Sequence, residues 1–165
     1  GVPLFDAINS VWDVTPDGRT FLVNSGDVLF GFQVARIRID GFDDLGSSFP
    51  GTYGAPRLYA AGEMTLGTPI DVQLGNALEN APAFLVVGVA PINAPFYGGT
   101  LVPWFEAPLG TYLILATDPL GRLEIPAVWP GGVPSGTPLI LQYWIDDPGA
   151  AFGLAGSNAV SATVP

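Results

Sequence analysis

The chain has 165 residues, 48% of them hydrophobic and 12% charged, with 22 glycines and 17 prolines. It contains no histidine, cysteine or lysine, and 15 acidic residues against five arginines give a net charge of −10. This composition excludes a histidine base, a thiolate nucleophile, a Schiff-base lysine and disulfide bonds. The negative charge, with no basic stripe to offset it, argues against nucleic-acid binding.

The length is sufficient for one domain with a substantial core. The mean hydropathy of +0.42 is high for a soluble chain with so few charges. No run of about 18 uninterrupted apolar residues occurs, because the most apolar stretch, Ala81–Ala90, contains Pro82 and Gly88. We therefore expect no membrane span. The surplus of apolar residues fits either burial between subunits or an ordinary well-filled core.

The first 50 residues predict an N-terminal β extension. A hairpin around the Pro16-Asp-Gly turn leads into a strand at Phe21–Asn24, and a longer strand follows at Val28–Asp40, with Arg36 and Arg38 on one face. The breaker-rich stretch from Asp40 to Gly51 predicts a boundary between an extension, 1–50, and a β-sandwich, 51–165. An extension this small must pair with the sandwich, with another copy, or with a larger body outside this sequence.

From residue 51 onward the sequence predicts strands and turns. Gly, Pro or β-branched residues interrupt every window long enough for a helix. Residues 69–75 and 137–146 alternate as strands do, and both faces of the second carry bulky side chains, which predicts a central position. The remaining predicted strands are Arg57–Thr65, Phe84–Ala90, Thr100–Trp104, Tyr112–Thr117, Arg122–Val128 and Asn158–Val164. Turn signals every 8–12 residues or so indicate a Greek-key, immunoglobulin-like β-sandwich of about seven to nine strands.

Several motifs of the second part share their order and spacing with a known type of module. They begin at Pro95 (PFYGGTLVP), Ala116 (ATDPLGR), Trp129 (WPGGVPSG), Gln142 (QYWIDD) and Ser157 (SNAVSAT). Through them, residues 54–165 resemble a C-terminal β-sandwich module of large secreted or cell-surface bacterial proteins, as in planctomycetes and myxobacteria. The resemblance implies a secreted or cell-surface location and a β-sandwich architecture. It implies no enzymatic activity.

A second, shorter resemblance lies near the N-terminus. Pro3-Leu-Phe, followed by the run from Val11 to Asn24, is similar to the last blade of TolB-like β-propellers. No other blade is present in the sequence. The alternative is a plain hairpin, because the Pro16-Asp-Gly turn forms in any β context.

Two acidic groups are candidate calcium ligands, because calcium prefers carboxylate oxygens. Asp40, Asp43 and Asp44 share one loop, although their spacing fits no EF-hand, and the alternative is a solvated acidic linker. Asp146 and Asp147 end a strong strand before a proline, and the alternative there is turn capping. We expect no cofactor other than calcium at one of these loops.

Aromatic residues near the Gly/Pro loops are candidates for stacking against a sugar. Trp104 and Tyr97 are the best placed, whereas the other tryptophans lie within strand patterns, where burial in the core is the alternative. The four glutamates lie in separate segments without a hydrolase motif, and no Gly-x-Ser-x-Gly elbow occurs. We therefore expect no enzymatic activity.

Two classes of function fit these observations. The first is a non-catalytic extracellular structural protein that self-associates by β-strand addition into a homo-oligomer or homopolymer, such as a filament or surface-layer subunit. The lack of lysine at potential sheet edges and the small extension favour it. The second is an accessory carbohydrate- or calcium-binding module of a larger secreted protein. The start at Gly1 suggests a processed chain.

Overall fold

The computed structural model describes residues 8–14, 21–25 and 42–165. These residues form no helix and thirteen strands. The strands are β1 (Ile8–Val14), β2 (Phe21–Ser25), β3 (Asp43–Gly46), β4 (Arg57–Ala61), β5 (Pro69–Gly75), β6 (Pro82–Gly88), β7 (Pro91–Phe96), β8 (Gly99–Pro103), β9 (Gly110–Ala116), β10 (Leu123–Val128), β11 (Pro138–Asp146), β12 (Leu154–Gly156) and β13 (Ala159–Thr163). The chain divides into two compact units, Gly1–Asp40 and Gly41–Pro165.

The first unit contains an antiparallel pair of strands. β1 pairs with β2, from Ile8 opposite Ser25 to Val14 opposite Phe21, with two register shifts between. The sequence predicts a hairpin here, and residues 15–20, which contain its predicted turn, lie outside the described residues. The predicted strand at 28–40 lies outside the described residues.

The second unit is built from two main antiparallel sheets. The larger has six strands in the order β3-β13-β11-β6-β9, with β12 also paired to β11. The smaller has three strands in the order β10-β5-β4. Neither sheet closes into a barrel. The prediction of an all-β, sandwich-type fold is therefore confirmed.

The main core lies between these two sheets. β5 contributes Ile70, Val72 and Leu74 from its inner face, in the alternation that the sequence predicts. β11 contributes Leu141 and Tyr143 from the facing sheet. Alternate residues along each strand thus meet in one apolar layer, which is how a sandwich buries its surface.

β11 is the central strand of the larger sheet and is buried on both faces. Its neighbours are β6 on one edge and β12 and β13 on the other. The face opposite the main core carries Ile140, Gln142 and Trp144, and the β7–β8 hairpin covers it. The ring centroids of Phe96 and Trp144 lie 4.9 Å apart at 74°, an edge-to-face contact between hairpin and sheet.

Two glycines make room for the Trp144 ring. A Cβ atom on Gly99 would lie 2.9 Å from Cη2 of Trp144, and one on Gly156 would lie 3.2 Å from the same atom. Trp144 itself is 2% exposed. The indole thus occupies volume that side chains at these two positions would otherwise fill.

Buried polar side chains tie these layers together. Gln142 is fully buried, and its Oε1 accepts a hydrogen bond from the Val102 N–H at 3.0 Å, which fixes β8 against β11. Its Nε2 donates to the carbonyls of Thr100 at 3.0 Å and Ser157 at 3.2 Å. Asn158 links the two sheets: its Oδ1 accepts a hydrogen bond from the Leu58 N–H, and its Nδ2 donates to the Leu58 carbonyl.

Two segments whose residues favour turns or loops form strands in the structure. β3 lies inside the stretch from Asp40 to Gly51 and pairs with β13, so residues 42–50 belong to the same unit as the sandwich. β7 includes the sequence Asn93-Ala-Pro, whose Asn and Pro residues favour a turn. Asn93 has a positive φ of 49° beside a register shift in β7, so the strand contains the irregularity instead of ending there.

Within the described ranges, no helix is long and apolar enough to cross a membrane.

Candidate functional site

The first acidic group lies on an edge strand of the larger sheet. Asp43 and Asp44 are the first residues of β3, and Asp40 lies outside the described residues. The Oδ1 atom of Asp44 accepts hydrogen bonds from the Gly46 N–H at 2.8 Å and from Asn158 Nδ2 at 3.1 Å. These contacts give Asp44 a structural role at the junction of β3 and β13.

The second acidic group separates into an exposed and a buried residue. Asp146 is exposed at the end of β11, whereas Asp147 is 2% exposed. The Asp147 carboxylate accepts hydrogen bonds from the Thr52 N–H at 2.7 Å, the Thr52 hydroxyl at 2.6 Å and the Gly149 N–H at 2.9 Å. Desolvation alone would raise the pKa of Asp147, but these hydrogen bonds outweigh it and lower the pKa.

Asp147 therefore organises two turns that lie far apart in the sequence. Its contacts with the loop at Thr52 and with its own turn at Gly149 are those of a capping residue. Among the residues that the structure describes, no three acidic side chains come close enough to share a metal ion.

Tyr97 lies at the mouth of an apolar groove on the outer face of the larger sheet. Tyr97 and Gly98 form the two-residue turn between β7 and β8, and both have positive φ, 43° and 83°, as a type I′ turn requires. The Tyr97 side chain is 54% exposed. The groove has a volume of about 320 Å³ and is lined by Phe84, Tyr97, Phe105, Tyr112, Trp144 and Leu154, among others.

Trp104, the other predicted stacking residue, does not line this groove. It follows β8 directly and is half-buried. Its backbone N–H donates to the carbonyl of Ala90. Its backbone carbonyl lies so close to Gly88 and Gly110 that a Cβ atom at either position would clash with it. Phe105, the next residue, lines the groove instead.

The groove offers few polar contacts to a ligand. Its lining residues include no charged side chain. The Trp144 indole N–H, which is buried, has no hydrogen-bond partner among the described residues. Such a surface binds apolar groups.

Beside this groove, strand β9 forms an exposed edge of the larger sheet. β9 pairs with β6 on one side, and no described strand pairs with its other side. Four consecutive residues, 111–114, are exposed there, and three of them are large and apolar, Tyr112 (53%), Leu113 (47%) and Ile114 (67%). The edge and the groove share Tyr112, so they form one continuous apolar surface.

The sequence predicts a strand at Tyr112–Thr117 but does not identify it as a sheet edge. A local signal for it exists, because no charged residue occurs between Glu106 and Asp118. Uncharged β-prone runs of this kind are prone to intermolecular pairing when they lie at an edge.

Comparison with protein-family models, with curated proteins and with solved structures found no match. The resemblance of residues 54–165 to a C-terminal β-sandwich module of secreted bacterial proteins therefore stays a prediction. The same holds for the resemblance of residues 3–24 to a propeller blade.

Proposed function

We propose that this chain is a non-catalytic extracellular structural protein that self-associates by β-strand addition, as a filament or surface-layer subunit does. The observation that carries the proposal is the exposed, uncharged edge of β9. A strand edge presents unpaired N–H and C=O groups, and a second chain satisfies them at once when it adds a strand. Large exposed apolar patches on soluble proteins mark such interaction surfaces.

The composition supports a role in assembly over one in catalysis. The sequence contains no histidine, cysteine or lysine, three residue types that often act as general bases or covalent nucleophiles near neutral pH. The buried carboxylate of Asp147 and the buried amide of Gln142 bond the protein's own backbone. An extracellular location is supported by the resemblance of residues 54–165 to secreted modules.

The test is the association state of the full-length chain. We expect sedimentation velocity to show oligomers that grow as the protein concentration rises, and negative-stain micrographs to show regular assemblies. Association should persist at high salt, because the proposed contact is apolar and hydrogen-bonded. A chain that sediments as a monomer at every concentration would refute the proposal.

The second candidate is a carbohydrate-binding module, which the exposed ring of Tyr97 favours. Sugars stack on such aromatic faces, although sugar-binding sites also need polar partners for the hydroxyl groups. This function predicts saturable binding to a polysaccharide that the substitution Tyr97→Ala abolishes. Unchanged retention of the Tyr97→Ala protein in affinity electrophoresis across a polysaccharide panel would exclude it.

A further inference from the structure

We propose that the apolar groove on the outer face of the larger sheet binds a proline-rich segment of a partner protein in the polyproline II conformation. This site goes beyond the proposed self-association and does not depend on it. Three observations favour this ligand: the aromatic lining of the groove, an unpaired N–H among its lining residues, and the lack of acceptor side chains for a ligand that is rich in donors.

The groove lies over β6, between the β7–β8 hairpin and the edge strand β9. Its lining includes Phe84 and Val86, alternate residues on the outer face of β6, and Trp144, which lies opposite Phe84 on β11. The hairpin contributes Tyr97, and β9 contributes Tyr112, which lies opposite Val86. Six of the nine lining residues are aromatic. The volume of about 320 Å³ is at the lower end for ligand pockets and suits a short peptide segment.

The aromatic rings of the groove are held in place by contacts with one another. The Phe96 ring packs edge-to-face against Tyr97, with centroids 4.8 Å apart, and against Trp144, with centroids 4.9 Å apart. Tyr97, Tyr112 and Phe105 remain 54%, 53% and 38% exposed. Aromatic-lined grooves of this kind are the sites at which proteins bind polyproline II segments.

Trp144 supplies the groove with an unpaired hydrogen-bond donor. Its side chain lines the groove and is 2% exposed, and the indole N–H has no hydrogen-bond partner among the described residues. A donor that stays unpaired in an apolar environment costs free energy, which a ligand regains when it supplies an acceptor. The carbonyl oxygen of a peptide is such an acceptor.

The groove favours a ligand that has acceptors and few donors of its own. No lining residue carries a carboxylate or an amide, so the tyrosine hydroxyls are the only side-chain oxygens there. A sugar would bring many hydroxyl donors to a surface that leaves them unpaired. A proline residue has a backbone carbonyl, no N–H and an apolar ring that packs on aromatic faces. Its chemistry therefore matches the groove better than that of a sugar.

The prolines of this sequence are not spaced for this role. A polyproline II helix has three residues per turn, so prolines that share one of its faces recur every three residues. The smallest separation between two prolines of this chain is four residues, as in Pro126, Pro130, Pro134 and Pro138. The occupant is therefore a segment from outside this sequence, not the groove's own chain or a second copy of it.

The first test measures binding of a dye-labelled decaproline peptide to the full-length chain by fluorescence anisotropy. We expect saturable binding of decaproline and none of a peptide of the same length made of glycine and serine. A peptide with the sequence of residues 126–138, in which prolines recur every four residues, should bind at least about tenfold more weakly. One protein concentration throughout keeps the association state the same. Failure of decaproline to bind, or equal binding of the 126–138 peptide, would overturn the proposal.

The second test removes one exposed ring of the groove with Tyr97→Asn. Asparagine before Gly98 suits the type I′ turn, so the hairpin is preserved. Tyr59→Thr is the matched control, because Tyr59 is 60% exposed on β4 and does not line the groove, and threonine suits a strand. We expect Tyr97→Asn to weaken decaproline binding at least about tenfold and Tyr59→Thr to leave it unchanged. Equal affinities of the two variants would overturn the assignment to this groove.

A third measurement tests the hydrogen bond and needs no variant of the groove. In the full-length chain labelled with ¹⁵N on its four tryptophans, the indole N–H signal of Trp144 should move downfield when decaproline binds. The signal of Trp129, which does not line the groove, should stay in place. Saturable binding with an unmoved Trp144 signal would overturn the proposed recognition of a peptide carbonyl.

Discussion

The buried amide of Gln142 gives the sharpest stability prediction. The substitution Gln142→Leu removes the acceptor of the Val102 N–H and the donor to two carbonyls, those of Thr100 and Ser157. The unpaired N–H costs about 1–3 kcal/mol and each lost hydrogen bond to a carbonyl about 1 kcal/mol. The apolar leucine returns about 1 kcal/mol. We therefore expect the free energy of unfolding to fall by about 2–4 kcal/mol.

Urea unfolding monitored by tryptophan fluorescence measures this loss, and thermal melts should show Tm lower by roughly 6–12 °C. All samples need one protein concentration, because assembly shifts apparent stability. Gln73→Leu is the matched control, since Gln73 lies exposed on β5 and its side-chain amide donates to the carboxylate of Asp71, two residues away on the same strand. We expect it to change stability by less than about 0.5 kcal/mol. Equal stabilities of the two variants would refute the role assigned to the buried amide.

Two further predictions concern buried groups with shifted pKa values. The lowered pKa of Asp147 means that its carboxylate stabilises the fold above the unfolded value of 3.8 and that this contribution is lost as the pH falls through the folded pKa. The stability difference between the unmodified chain and Asp147→Asn, measured by urea unfolding, should therefore shrink from pH 7 to pH 2, and a constant difference would contradict this reasoning. Burial raises the pKa of Tyr143, whose hydroxyl has no hydrogen-bond partner among the described residues, so we expect Tyr143→Phe to raise the free energy of unfolding by about 0.5–1 kcal/mol. A lower Tm for Tyr143→Phe than for the unmodified chain would show that the hydroxyl stabilises the fold.

Strands with a strong local pattern could be predicted from the sequence. Pro69–Gly75 alternates apolar and polar residues and forms β5 with the predicted bounds. The bulk on both faces of residues 137–146 correctly predicts that β11 is central and buried on both sides. In both cases the side-chain pattern repeats with the period of the strand, so local sequence and tertiary burial agree.

The elements that escaped prediction depend on pairing with distant residues. β3 is four residues long and contains two aspartates, so only its ladder with β13 makes it a strand. β7 contains two prolines, Pro91 and Pro95, and Asn93 with a positive φ, and residues of these types favour a turn locally. Tertiary hydrogen bonds override these local preferences.

The candidate site was predictable only in part. The exposure of Tyr97 follows from its turn with Gly98, because a type I′ turn projects from the end of its hairpin. The edge position of β9 has no such local origin. Its apolar residues are of the same kind as those of a core strand, and only the strand order places them at the edge.

The two glycines beside the Trp144 ring have a consequence for mutational studies. Because the ring fills the space that side chains at Gly99 and Gly156 would occupy, the three positions share one volume. Residues that share a volume have non-additive effects on stability. The loss of stability on replacing either glycine by a larger residue therefore depends on residue 144 as well, and a smaller residue at position 144 would reduce that loss.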